Sequence, residues 1–375
     1  MRPPVLIARA PFRVSFAGGG TDLAAYYRSF GGLVVSTAIS RHIYVMLRPG
    51  RARSPVHLIT VDGGTYTHVH VRDTAEPDGA THLPRAVLRY FGVTGGIELF
   101  IASEIPSGTG LGSSSALVVA LIHAVSAYLG RSLRPADVAE LACAIEIEHL
   151  GLPIGKQDQY ASAIGGLNAI TFSATGVRCR PLRLARATRE RLEDRLQLFY
   201  TGTRRDANTI LGHQTRASEE RKPQTLAALH ALKHIAEQTI VALERGDLDA
   251  FGDLLHEGWM HKQRLTHGIS NPFIDQCYET ARSAGARGGK ITGAGGGGFL
   301  LLDCPPERTE AVTNSLLPLG LQHFPFVLED EPAGIVAGAG MAAGAQREEM
   351  FPPVMVEALT TEDKNGSGRS SQLSL

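Results

Sequence analysis

Four short segments gather residue types that do chemistry together. The densest is Pro106-Ser107-Gly108-Thr109-Gly110-Leu111-Gly112-Ser113-Ser114-Ser115, set between a strand pattern and an apolar helical one. Glycines at alternate positions allow positive φ, so successive main-chain N–H groups can turn into one concavity. The helix start behind them adds free N–H groups and the positive end of its dipole. Three serines are placed to cap that helix, and one hydroxyl suits a magnesium ion. A tight turn with a serine cap would need one Gly and one Ser, not this density. The segment reads as a polyphosphate cradle. It is no Walker A loop, because no Lys-Ser/Thr pair follows the glycines.

The other three segments are less specific. Lys290-Ile291-Thr292-Gly293-Ala294-Gly295-Gly296-Gly297-Gly298-Phe299 holds a formal G-x-G-x-x-G. A dinucleotide fold needs a helix directly after such glycines and an acid about 20 positions on. Here a strand pattern, Phe299 to Leu302, follows. A loop between two strands, close to a ligand, fits better, and a purely structural glycine hinge stays open. Arg13-Val14-Ser15-Phe16-Ala17-Gly18-Gly19-Gly20-Thr21-Asp22 sets Thr21 and Asp22 at a glycine-lined turn. Asp22 there either caps a helix over 23–30 or faces a ligand. In Gly155-Lys156-Gln157-Asp158-Gln159-Tyr160, Asp158 stands beside Lys156, just past a helix carrying Glu146 and Glu148. An N-cap with a solvated neighbour is the plainer reading of that pair.

The elements that must position these groups are legible in outline. Strand patterns cover 5–16, 33–47, 56–61, 67–71 and 97–102, punctuated by Gly, Pro and Asp. Helices are expected over 113–129, with Gly130 as stop, and from 135 to 149 with Pro135 in the first turn. A strand follows at 165–172. The Arg- and Glu-rich stretch 178–196 reads as a domain seam. Beyond it come a strand at 196–200, helices over 206–218, 224–245, 248–265 and 272–284, and strands at 289–292 and 299–302. A helix after Pro306 and a strand at 323–328 complete the pattern. This is an α+β chain in two parts, 1–185 and 186–337, followed by a disordered tail over 338–375.

Composition excludes several classes. At about 150 residues per domain, 375 residues suit two domains. Lys+Arg and Asp+Glu both number 37, so the net charge is zero, and a general nucleic-acid binder is not expected. Cys143, Cys179, Cys277 and Cys304 are too dispersed for a disulfide scaffold or a zinc ribbon, which points to a reducing compartment. The most apolar helical stretch, 116–129, falls short of the ~20 residues a membrane span needs, and no signal-peptide pattern opens the chain. A soluble, cytoplasmic protein is expected, with no membrane partner.

Taken in order, the four segments resemble the GHMP kinase superfamily over about residues 9–328, and most of all its sugar-1-kinase branch of heptose 7-phosphate kinases. Arg9 to Leu23 is similar to that branch's first motif, and Pro106 to Ala116 to the ATP loop P-x-x-x-G-L-G-S-S. Gly155 to Tyr160 resembles the segment bearing the catalytic aspartate, and Gly293 to Gly298 the third motif, which buttresses the phosphate loop. Galactokinase-like members have Glu-His where this chain has Gly19-Gly20.

The resemblance implies an N-terminal domain like ribosomal protein S5 domain 2 and a ferredoxin-like C-terminal domain, with ATP and substrate between them. It implies ATP on Pro106, Gly108, Gly110, Leu111, Gly112, Ser113, Ser114 and Ser115, and Mg²⁺ on Ser114 and Glu148. Asp158 would act on the acceptor hydroxyl, with Lys156 and Arg13 beside it. Asp22, with Gly19, Gly20 and Thr21, would hold sugar hydroxyls, and Gly295 and Gly296 would also meet the substrate. Arg205 and Lys262 would read a substrate phosphate away from the ATP loop. The implied reaction phosphorylates the anomeric hydroxyl of a sugar phosphate. An unphosphorylated sugar such as fucose or galactose, or a nucleotide-binding regulator without catalysis, is the alternative.

Overall fold

The computed structural model describes residues 5–51, 54–62, 65–71, 81–203 and 207–338, with backbone alone at 62, 65–71, 207 and 208. Two sheets organise them. In the first, β1 (Leu6–Ala17) pairs antiparallel with β2 (Gly32–Pro49) from Leu6 opposite Leu47 to Ala17 opposite Val35, and α1 (Ala24–Phe30) lies in the connection. β3 (Val56–Asp62) pairs with β4 (Thr65–Val71). After α2 (His82–Tyr90), β5 (Ile97–Ser103) inserts between β2 and β3, running parallel to β3.

Three helices then follow in the chain. α3 (Ser113–Tyr128) is apolar all round and packs on β1 and β2. Val118, Val119, Ala120, Leu121 and Ile122 are all fully buried in it. α4 (Pro135–Cys143) and α5 (Gln157–Ile164) pack against each other and against α3. β6 (Leu167–Ser173) pairs with the first part of β2, and β7 (Gly176–Pro181) with β6.

The second sheet starts after α6 (Arg186–Arg195) with β8 (Leu196–Tyr200). Four helices follow: α7 (Ala207–Glu219), α8 (Pro223–Arg245), α9 (Leu248–Lys262) and α10 (Pro272–Ala284). The start of α10 is locally encoded, because the Asn271 side chain accepts from the N–H groups of Phe273 and Ile274. β9 (Gly288–Ile291), β10 (Phe299–Asp303), α11 (Thr309–Leu316) and β11 (Gln322–His323) complete this half. The strand order β11-β8-β10-β9 is fourth-first-third-second in sequence, antiparallel throughout, as in a ferredoxin-like sheet. β12 (Gly334–Ala337) then returns to pair with β1. All described residues belong to one compact unit.

The stretch 178–196, expected as a seam, holds the end of β7 and α6, and it carries the chain from the first sheet into the second. Two expectations need correcting. The strand expected over 323–328 stops at His323, with Leu328 making only an isolated bridge to Ile39. Pro325, in the middle of that stretch, has no N–H to give a ladder. The helix expected from 135 to 149 changes at Ala144 to a π-helical turn, Ala144–His149. Apart from Gly338, the tail lies outside the described residues.

Candidate active site

The glycine loop and the start of α3 form one wall of a cleft. Gly112, in the left-handed region at φ 76°, is the N-cap of α3, and no side chain caps this helix. The expectation that serines cap it is therefore wrong, and the reason is steric: glycine alone takes this backbone bend freely. The first intrahelical bond runs from Ala116 N–H to Gly112 O, so the N–H groups of Ser113, Ser114 and Ser115 have no acceptor within the helix. Leu111 is fully buried and Pro106 O accepts from Thr109 Oγ1, so these two shape the loop without facing the cleft.

The third glycine segment braces this loop from behind. A Cβ on Gly110 would lie 2.7 Å from Thr292 O, and one on Gly293 would lie 2.6 Å from Gly110 Cα. Gly295 lines the cleft. Gly296 does not, since its N–H donates to Ile269 O at 2.7 Å, which corrects the expectation for that residue.

Arg13 and Asp158 meet at the centre. Arg13 Nε donates to Asp158 Oδ1 at 2.7 Å and Nη2 to Oδ2 at 2.6 Å, a bidentate pair. Nη1 donates to Gly110 O at 2.6 Å, so one guanidinium joins the aspartate to the glycine loop. Lys156 is absent from this centre. It turns toward α4 and donates to Glu140 Oε2 at 3.1 Å, because it precedes α5 and its side chain leaves on the far side from Asp158. Arg13 occupies the place expected for it.

Asp22 faces the same cleft. Its Oδ1 accepts from Gly20 N–H at 3.1 Å and its Oδ2 from Gln157 N–H at 3.2 Å; it does not cap α1. Burial, and then repulsion from Asp158, push its carboxyl above the usual range. Gly19 and Gly20 line the cleft beside it. Thr21 does not: its buried hydroxyl donates to Gly18 O and accepts from Leu33 N–H, so it ties the turn together.

The acid facing the serines is Glu146, and Glu148 is exposed. Two residues apart on a helical turn, the pair cannot share a face. Ser114 Oγ donates to Glu146 Oε1 at 3.2 Å and Gln159 Nε2 to Oε2 at 2.7 Å. Burial raises the Glu146 carboxyl to about 7 against these hydrogen bonds. The Ser114 hydroxyl, which lines the cleft, and the Glu146 carboxyl buried behind it are oxygen donors of the kind Mg²⁺ takes.

Lys262 also lines the cleft, but on the wall of the glycine loop rather than away from it, since α9 ends alongside β9. Its Nζ donates to Ile291 O and Gly293 O. Arg205 lies outside the described residues. Lys290, Gln157 and Gln214, to which sequence alone assigns no role, also line the cleft. A lysine in the otherwise buried strand Gly288–Ile291 was the available signal for the first. For Glu146, the signal was the helical spacing of Val138, Ala142 and Ile145.

Comparison with known proteins decides the family. The model for GHMP kinases N terminal domain matches residues 80–166, and that for GHMP kinases C terminal matches 239–317. The chain is 32% identical over 306 residues to the D-glycero-alpha-D-manno-heptose 7-phosphate kinase of Campylobacter jejuni, covering 80% of this chain and 89% of that one. This protein belongs to the GHMP kinases. It has their two-domain α+β fold and is an ATP-dependent phosphotransferase with an alcohol group as acceptor. A Roseiflexus galactokinase is 30% identical over 338 residues, 79% of this chain and 82% of its own. The crystal structure of a D-glycero-D-manno-heptose 1-phosphate kinase from Bacteroides thetaiotaomicron superposes with a TM-score of 0.72 at 28% identity, covering 88% of this chain and 98% of that one. Among the described residues, no helix is long and apolar enough to cross a membrane.

Proposed function

We propose that this sugar kinase of the GHMP family transfers the γ-phosphoryl group of ATP to the anomeric hydroxyl of D-glycero-D-manno-heptose 7-phosphate, giving the 1,7-bisphosphate and ADP. The observation that carries this reading is the similarity to the Campylobacter enzyme along most of both chains, with Arg13, Asp158 and Asp22 in one cleft.

Phosphoryl transfer proceeds through a loose transition state, so positioning and charge stabilisation do most of the work. In this reading the loop from Gly108 to Ser115 takes the ATP phosphates on main-chain N–H groups. Ser114 and Glu146 would hold Mg²⁺, whose chemistry there is to neutralise charge on the phosphate oxygens. Arg13 fixes the orientation of Asp158, which accepts the hydroxyl proton as the new P–O bond forms and the bond to ADP breaks. Asp22 holds further sugar hydroxyls. A sugar lacking the 7-phosphate is the second reading, favoured by the similarity to the Roseiflexus galactokinase.

The deciding experiment supplies ATP, Mg²⁺ and a panel of heptose 7-phosphates, hexose 6-phosphates, fucose and galactose, and locates the new phosphate by ³¹P NMR. A C1 phosphate on heptose 7-phosphate, formed far faster than on unphosphorylated sugars, is expected. Preference for fucose or galactose would replace the heptose reading.

A further inference from the structure

Two lysines far apart in the sequence meet beside the phosphate loop. Lys262 is the last residue of α9, and Lys290 lies within β9. Both side chains are buried, with the residues 7% and 6% exposed, and both line the cleft. Their acceptors are main-chain carbonyls: Lys262 Nζ donates to Ile291 O at 2.8 Å and Gly293 O at 2.6 Å, and Lys290 Nζ to Phe16 O at 3.2 Å. Among the described residues, neither makes an ion pair with a carboxylate. The charges acting on them are cationic: Lys290 and Arg13 on Lys262, and Arg13 on Lys290.

Two buried ammonium groups without a counter-ion are a costly arrangement. Burial and their cationic neighbours hold Lys262 far below the usual lysine range and bring Lys290 down to about 7. An anion entering the cleft would remove that cost. Its position follows from the same contacts. Gly293, whose carbonyl holds Lys262, lies against Gly110 of the phosphate loop, and Arg13 bridges Gly110 to Asp158. The lysines therefore flank the place where the phosphate loop and the acceptor's aspartate converge.

We propose that Lys262 and Lys290 form a two-ammonium seat for the terminal phosphoryl group of ATP, and not for a phosphate on the acceptor. The proposal rests on ATP as donor and is independent of which sugar accepts. Fixed cations aimed at the three equatorial oxygens stabilise the charge that spreads over them during transfer.

The test compares Lys290→Met and Lys262→Met with the unaltered protein, with AMP-PNP and ADP as calorimetric probes and no sugar present. Each substitution should weaken AMP-PNP by about 10- to 100-fold while changing ADP by less than about threefold. Because Lys290→Met replaces a buried amine, whose charged form is disfavoured in the empty cleft, with an apolar chain of similar volume, the empty variant should melt at or above the unaltered protein's temperature. A merely structural lysine would instead lower it. Equal losses for AMP-PNP and ADP, or a lowered melting temperature with the AMP-PNP preference intact, would overturn the proposal. So would unchanged nucleotide binding with a KM increase confined to phosphorylated acceptors. Failure of every sugar in the panel above would sink the heptose reading alone, since these titrations contain no acceptor.

Discussion

Arg13 and Asp158 stand 145 positions apart, yet the guanidinium grips both carboxylate oxygens and, through its third nitrogen, Gly110 O. The arrangement couples the strand β1, the glycine loop before α3 and the helix α5 through one side chain. It also leaves Lys156 outside the centre, paired with Glu140.

Asp158→Asn keeps the side chain's size and removes the proton acceptor proposed above. Nucleotide affinity should stay within about threefold while kcat falls by about 10²- to 10⁴-fold. Lys156→Ala should leave kcat within about threefold, because its ammonium points at Glu140. Steady-state kinetics on both variants check this, and a large loss in Lys156→Ala would return that lysine to the chemistry.

Gly155 is small for a spatial reason. A Cβ there would lie 1.9 Å from Asp22 Oδ2. Gly155→Ala should therefore push Asp22 away and raise the acceptor KM by roughly tenfold or more, with little change in KM for ATP. Parallel increases in both constants would show that the whole cleft had shifted.

Glu146 makes stability depend on pH. Its folded value of about 7 lies above the ordinary 4.5 that the unfolded chain retains. Between those values the folded state binds more protons, so stability is greatest below about pH 4.5 and declines as pH rises through about 7. Glu146→Gln should remove that decline, a difference on the order of 3 kcal/mol at pH 8. Thermal melts of both proteins at pH 5 and pH 8, without metal, test the sign; a wild-type curve no steeper than the variant's would contradict it.

The two glutamates should separate in their metal dependence. Glu146→Gln removes a charged oxygen next to Ser114, so the Mg²⁺ concentration for half-maximal activity should rise by about tenfold or more. Glu148→Gln, on the exposed side of the same turn, should change it by less than about twofold. Mg²⁺ titrations of initial rate distinguish them, and the reverse pattern would put the ion on Glu148.

Much of this was legible in the sequence, because it is written in local rules. The glycine loop before α3 is visible as alternate glycines ahead of an apolar helix, since glycine takes such left-handed bends freely. The strand over 196–200 and the helix over 272–284 were readable to the residue, and the structure shows the latter capped by Asn271 and stopped at Gly285. β12 escaped notice, being four residues whose only reason to be extended is the open edge of β1.

Side-chain partnership was the other matter, and there the tertiary structure decided. Glu146 and Glu148 are equivalent by type, and the packing of the π-helical turn against the start of α3 chooses between them. Lys156 adjoins Asp158 in the chain, but side-chain direction around α5 separates them and brings in Arg13 from β1. The meeting of Lys262 with Lys290 depends on α9 lying along β9. Residue type and spacing set which chemistry was possible, because backbone bends and helix ends are local. Which charges face one another depends on long-range packing, and no local pattern encodes it.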